Sequence, residues 1–152
     1  MAATALEPQL DFLRELWALD HAMQKSSKLM VKTLGITGPQ RLALRLIGRF
    51  PDVPTGRLAR LLHLHPSTVS GLVKRLSERG LLTRESDGPD RRRSLLRITP
   101  AGLALISRSE PTVVSAVRKA LAELPPRQVE TALKVLASVA VRLETMKPSD
   151  RG

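Results

Sequence analysis

The sequence predicts a mainly α-helical chain that carries one small β-hairpin. Three observations lead there. Apolar residues recur every three or four positions over most of the 152 residues. Proline and glycine interrupt that pattern and cut it into helix-length pieces. Near 81–99 the spacing shortens towards alternation, around the turn-rich "DGPDR".

Each element follows in order. From about residue 8 to 34, Leu10, Leu13, Leu16, Trp17, Met23, Met30 and Leu34 keep a mostly helical spacing. "GITGPQ" breaks it, with Thr37 suited to cap the next helix and Pro39 to its first turn. That helix carries Leu42, Leu44, Leu46 and Ile47 and ends before "RFPDVP". "TGRLARLL" reads as a short helix, with Thr55 the expected cap and Leu58, Ala59, Leu61 and Leu62 expected inward. After the turn "HLHP", Pro66 opens "PSTVSGLVKRLSERG", which Gly80 stops. "LLTRES" and "RSLLRIT" are the two strands of the hairpin. Thr99 and Pro100 restart a helix, and the apolar stretch from Leu103 to about Leu121 contains Pro111, which predicts a kink or a short break. "LPPRQ" bounds the last helix, from about Arg127 to Met146. Its Val129, Leu133, Leu136, Ala140 and Leu143 alternate steps of four and three, the seam of a coiled-coil-like helix pair. The tail "KPSDRG" is expected to fray.

Helix–turn–helix followed by a hairpin is a winged helix-turn-helix unit. Here it spans residues 37–98, between an outer helix at 1–36 and a linking helix plus a last helix at 99–152.

Composition narrows the function classes. Aromatics are only 2%, so the core must be built from Leu, Val, Ile and Ala. No cysteine is present, which excludes disulfides, thiol catalysis, thiolate metal sites and cysteine-based redox sensing. The formal net charge is +11, a field that attracts polyanions. Residues 37–98 hold thirteen Lys/Arg against five Asp/Glu, while residues 1–36 hold four of each. The basic excess thus sits on the predicted winged unit. No apolar run approaches the roughly 18 residues of a membrane span, and the first residues lack a secretory-signal pattern. A soluble cytoplasmic protein is the expectation.

Two segments carry candidate chemistry. In "HPSTVSGLVKRLSERG", about 100° per residue puts Val69, Leu72, Val73 and Leu76 on one face. Ser67, Ser70, Gly71, Lys74 and Glu78 point the other way, flanked by Thr68 and Arg75. Small hydroxyls, a glycine that permits close approach, and then cations suit a helix entering a major groove. His65 is placed to cap this helix or to meet a phosphate. By themselves the same residues would suit an ordinary surface helix; the preceding helix and the following hairpin favour DNA. The second segment is "ESDGPDRRRS". Arg91, Arg92 and Arg93 lie at or near the hairpin tip, where a basic side chain reaches a minor groove or a phosphate. Strand neighbours alternate faces, so at least one arginine turns aside, and Asp87 or Asp90 is its expected partner. The plainer reading is a solvated charged turn.

At these residues the sequence resembles the MarR family of bacterial transcription regulators. "GPQRLALRLI" is similar to the helix after the family's first loop, and "TGRLARLLHLHPSTVSGLVKRLSERGLLTR" to its helix–turn–recognition-helix segment. "DGPDRRRSLLRITPAG" resembles its wing signature, and residues 37–102 carry the specific match. The resemblance implies a triangular homodimer with the first and last helices at its base. It implies palindromic duplex DNA as partner, read in the major groove by Ser67, Thr68, Ser70 and Lys74, with Arg91 or Arg92 in the minor groove. It also implies control by small anionic or phenolic ligands bound between the dimer base and the DNA lobes. The lack of cysteine departs from the family's thiol-oxidation mode, and Pro111 bears on the spacing of the two lobes.

Other sites are weaker. His63 and His65 diverge on a helix, so no shared metal is expected. His21 reads as a packing or dimer residue, or with Trp17 as lining for an effector pocket. No acid–base pair, nucleophilic triad or phosphate loop stands out, so neither an enzyme nor a cofactor is expected. The competing class is a winged-helix module whose basic face binds an acidic protein.

Overall fold

The computed structural model describes residues 7–86, 94–108 and 111–146. The elements run α1 (Pro8–Leu34), α2 (Gly38–Arg49), β1 (Val53–Pro54), α3 (Thr55–Leu62), α4 (Pro66–Glu78), β2 (Leu82–Ser86), β3 (Ser94–Ile98), α5 (Pro100–Ser107), α6 (Val113–Ala122) and α7 (Pro126–Glu144). This is the mainly helical, winged arrangement that the periodicity predicts. The expectations for Asp87, Asp90, Arg91, Arg92 and Arg93, and for the tail after Met146, fall outside the described residues.

Local chemistry explains most boundaries. α1 ends because Gly35 takes a left-handed φ of 67° and turns its N–H back onto Val31 O at 2.9 Å. Thr37 then starts α2 through a capping box. Gln40 N donates to Thr37 Oγ1 at 3.2 Å, and Thr37 N donates to Gln40 Oε1 at 3.0 Å. Gly38 N donates to Ser27 Oγ at 2.8 Å, which ties the start of α2 to α1. At α5, Gly102 N donates to the Thr99 hydroxyl at 3.1 Å, as the cap reading expected. That hydroxyl donates in turn to Gly80 O at 2.6 Å, pinning α5 to the end of α4.

The sheet holds one strand more than the hairpin requires. Its order is β1-β3-β2, all antiparallel, with Val53 opposite Leu96 and Leu82 opposite Ile98. β1 also corrects the expectation for Thr55. Pro54, not Thr55, holds the N-cap position of α3, and no side chain caps it. Pairing of Val53–Pro54 with β3 draws Thr55 towards that strand, where its hydroxyl donates to Ser94 O at 3.4 Å. Leu61 is a second correction. It is 36% exposed, because Leu58 and Ala59 fill the inward face of this short helix.

The core lies where α2, α3, α4, the end of α1 and the sheet meet. Met30, Ile36, Ala43, Leu44, Ile47, Leu58, Val69, Val73, Leu76, Leu82 and Leu96 are all buried. Each large aliphatic side chain contributes about 1.5–3 kcal/mol on burial, enough to decide which face of each helix turns in. α5 stops at Ser107 and α6 begins at Val113. A break flanking Pro111 is one of the two outcomes its position predicts. Proline has no N–H to donate four residues back, and its ring would strike that carbonyl.

The chain divides into two compact units, Met1–Val114 and Ser115–Gly152. The first holds the core just described. Along its α1, Leu10, Trp17, Leu19 and Met23 are exposed. In the second, α7 leaves Leu133, Leu136, Val141 and Leu143 exposed, with Val129 half-buried. No described helix is long and apolar enough to cross a membrane.

Candidate nucleic-acid interface

α4 shows the division of faces that its sequence implies. Val69, Val73 and Leu76 are fully buried and Leu72 nearly so. Ser67, Thr68, Ser70, Lys74 and Arg75 are exposed on the rest of the helix surface, while Gly71 is half-buried. Pro66 takes the first helical position. His65 is the N-cap, its Nδ1 accepting from Ser67 N at 3.2 Å and lying 2.7 Å from Ser67 Oγ. Nδ1 must therefore carry a lone pair in this arrangement. A ring nitrogen capping a helix is a device that the order His–Pro–Ser suggests and the fold places in register.

Lys74 and Glu78 pair one turn apart at 3.9 Å, with both side chains largely exposed. Such a pair contributes little, so Lys74 is available to a stronger anion. Gly71 sits where an added Cβ would find only the far end of Arg75, at 3.7 Å. The outward surface of α4 therefore combines hydroxyls, a low point in the helix wall and two cations.

At the wing, β2 and β3 pair from Leu82↔Ile98 at the near end to Ser86↔Ser94 at the far end. At the near end lies a charged pair that the sequence reading missed. Arg97 on β3 grips both carboxylate oxygens of Asp52, in the turn before β1, with its Nε–Nη2 edge. Nη2 donates to Oδ2 at 2.9 Å and Nε donates to Oδ1. The Arg97 hydrogen bond holds the Asp52 carboxyl below the usual carboxylate range, against a smaller opposing effect of desolvation. Arg97 is raised in return, first by the Asp52 hydrogen bond, then by the charges of Asp52 and Glu85. Asp52 itself has φ 60°, a conformation that Asp tolerates better than most residues. The sequence offered one signal: Arg97 lies between Leu96 and Ile98, so alternation turns it away from the core. Its partner, 45 residues earlier, had no such signal.

Three further guanidiniums flank the helix–turn–helix. Arg57 of α3 lies over the Phe50 ring, 4.9 Å from its centroid, and Arg49 lies at 5.6 Å. Arg79, at the end of α4, donates to Gly35 O. His63 ends α3 in a left-handed conformation with φ 52°. Among the described residues no cluster of His, Asp and Glu suits a metal ion.

Comparison with known proteins agrees with this geometry. A family model described as the MarR family matches residues 34–93. The organic hydroperoxide resistance transcriptional regulator of Bacillus subtilis (strain 168) is 35% identical over 100 residues, covering 66% of this chain and 67% of that protein. CouR from Rhodococcus jostii RHA1, solved bound to p-coumaroyl-CoA, superposes with a TM-score of 0.70 at 27% identity, over 91% of this chain and 96% of that one. MepR of S. aureus, solved in complex with DNA, gives a TM-score of 0.70 at 19% identity, over 87% and 97%, and speaks for the fold alone.

Proposed function

The chain belongs to the MarR family of transcription regulators, and from that premise we propose that it acts as a homodimer on near-palindromic duplex DNA. The observation that carries the reading is the outer face of α4. Four aliphatic side chains anchor the helix, while Ser67, Thr68, Ser70, Lys74 and Arg75 stand exposed around a glycine. Hydroxyls and cations of this kind reach base edges and phosphates in a major groove. His65, held at the N-terminus of α4, would lie beside the backbone. Arg91, Arg92 and Arg93 would supply the wing contact, with Asp87 or Asp90 orienting one of them.

The homodimer reading is supported by unpartnered apolar surface. Trp17 on α1 is 66% exposed, and Leu133 on α7 is 62% exposed. Side chains of that size are seldom left bare in rows along a helix. Control by a small molecule is carried over from CouR, which is bound to p-coumaroyl-CoA. A cysteine-based redox step is excluded, because this sequence has no cysteine.

The test is selection of bound duplexes from random DNA with the purified protein, followed by footprinting. A near-palindrome with half-sites about 34–36 Å apart, about one turn of duplex, is expected. Equal affinity for every duplex at physiological salt would sink the reading. Arg91→Ala and Arg92→Ala should each weaken binding, and loss of a phosphate contact should reduce the salt slope by about one.

A further inference from the structure

α1 is a rod of 27 residues, about 40 Å long. Its two parts stand in different surroundings. Leu10, Trp17, Leu19 and Met23 are exposed, whereas Met30 and Leu34 are buried in the core that also holds α4. Two polar contacts fix the buried part. Ser27 Oγ accepts from Gly38 N at 2.8 Å, which joins α1 to α2. Gly35 O, the carbonyl of the α1 C-cap, accepts from Arg79 Nη1. A Cβ on Gly35 would lie 3.3 Å from Arg79 Nη2, so the guanidinium rests directly over the glycine. Arg79 is also the C-cap of α4, and its own N–H turns back onto Arg75 O at 3.2 Å. One residue thus closes α4 through its backbone and holds the end of α1 through its side chain.

Arg79 is exposed. An exposed hydrogen bond adds little to stability, but it has a direction, which apolar packing lacks. Burial of Met30 and Leu34 keeps the end of α1 in the core without setting its angle. A rod held at one point pivots; a second hold fixes its direction. Ser27 and Gly35 are a little over two turns apart, roughly 12 Å along the axis. Play of about 1 Å at Gly35 therefore tilts α1 by about 5° against the rest of the unit. Over the 13 residues of α4, about 20 Å, the same angle moves the far end by about 2 Å. Between two copies the change reaches about 3–4 Å, close to the rise of one base pair.

We propose that Arg79 is a positioning residue that sets the angle of α4 to α1, and thereby the half-site spacing that the dimer accepts. It acts on specificity through the frame and touches no base. The assignment rests on the reading of the chain as a homodimer on near-palindromic DNA, with the exposed part of α1 in the dimer base.

The experiment uses the purified full chain and three duplexes: the selected near-palindrome, and versions with one base pair added or removed between the half-sites. Kd is read by fluorescence anisotropy at fixed salt for the wild type, Arg79→Met and Arg79→Lys. The wild type should bind both altered duplexes about tenfold more weakly or worse, since a misplaced half-site forfeits contacts at several base pairs. In Arg79→Met that preference should flatten to about threefold or less. A merely structural role, or a lost phosphate contact, would weaken binding to all three duplexes alike and leave the ratios unchanged. Arg79→Lys keeps the charge and a donor, and should restore most of the preference. Ratios in Arg79→Met equal to those of the wild type overturn the role of Arg79 and leave the homodimer reading standing. Ratios as flat in Arg79→Lys as in Arg79→Met overturn the hydrogen bond to Gly35 as the cause. A wild type without spacing preference overturns the homodimer reading, and this assignment with it.

Discussion

Replacing Gly71 by alanine separates the stability of α4 from its proposed contact with DNA. The new methyl meets only the flexible end of Arg75, at 3.7 Å, which is ordinary contact. Alanine in place of glycine inside a helix is favourable by about 0.5–1 kcal/mol. The variant should therefore melt higher, by roughly 1–4 °C for a chain of this size. On DNA the same methyl acts in the other direction. If Gly71 marks the closest approach of the helix to the groove, a Cβ pushes α4 out by about 1 Å. Hydrogen bonds near 2.9 Å would then stretch past their useful range. Losing two of them costs about 1–3 kcal/mol, a roughly 5- to 150-fold loss of affinity. The assay is calorimetric melting together with fluorescence anisotropy on the selected duplex at fixed salt. A variant that melts higher and still binds as the wild type does would remove Gly71 from the interface. One that melts lower would refute the description of its surroundings.

Two other substitutions test the frame. Gly102→Ala would place a Cβ 2.2 Å from Leu81 O and 2.7 Å from Ile98 Cγ1. One obstacle is backbone, so α5 must move, and the overpacking cost of about 1–3 kcal/mol should exceed the helix gain; a variant as stable as wild type in urea titration would contradict the close packing. Asp52→Asn should remove an acid-dependent part of the stability. The folded pKa of Asp52 is depressed, so its contribution is present above the unfolded carboxylate value of about 3.9 and is lost as pH falls through the folded value. Wild type and variant should thus converge in Tm below that range and differ above it, whereas a gap independent of pH would show that the pair with Arg97 is not its source.

The sequence by itself determined where the helices begin and end and which way α4 faces. Thr37, Thr99, Pro39, Pro66, Pro100 and Gly80 act on their own backbone within one turn, so their effects are local and readable. The same holds for the burial of Val69, Leu72, Val73 and Leu76, which follows from the pitch of one helix. The break flanking Pro111 belongs to the same class, since a missing N–H and a ring clash are properties of the residue.

Tertiary structure decided where side chains of opposite or equal charge meet. Asp52 and Arg97 pair across 45 residues, and Arg41 reaches Ile106 O across 65. The third strand, Thr55 leaning on Ser94, and the burial of Arg41 depend on how α2, β3 and α5 pack. A short strand such as Val53–Pro54 has too few residues to show alternation. A buried arginine looks, in sequence, like any other charge on an amphipathic helix. Periodicity records which face of an element turns inward; only packing sets which groups from distant elements share that interior, and whether each charge there has found a partner.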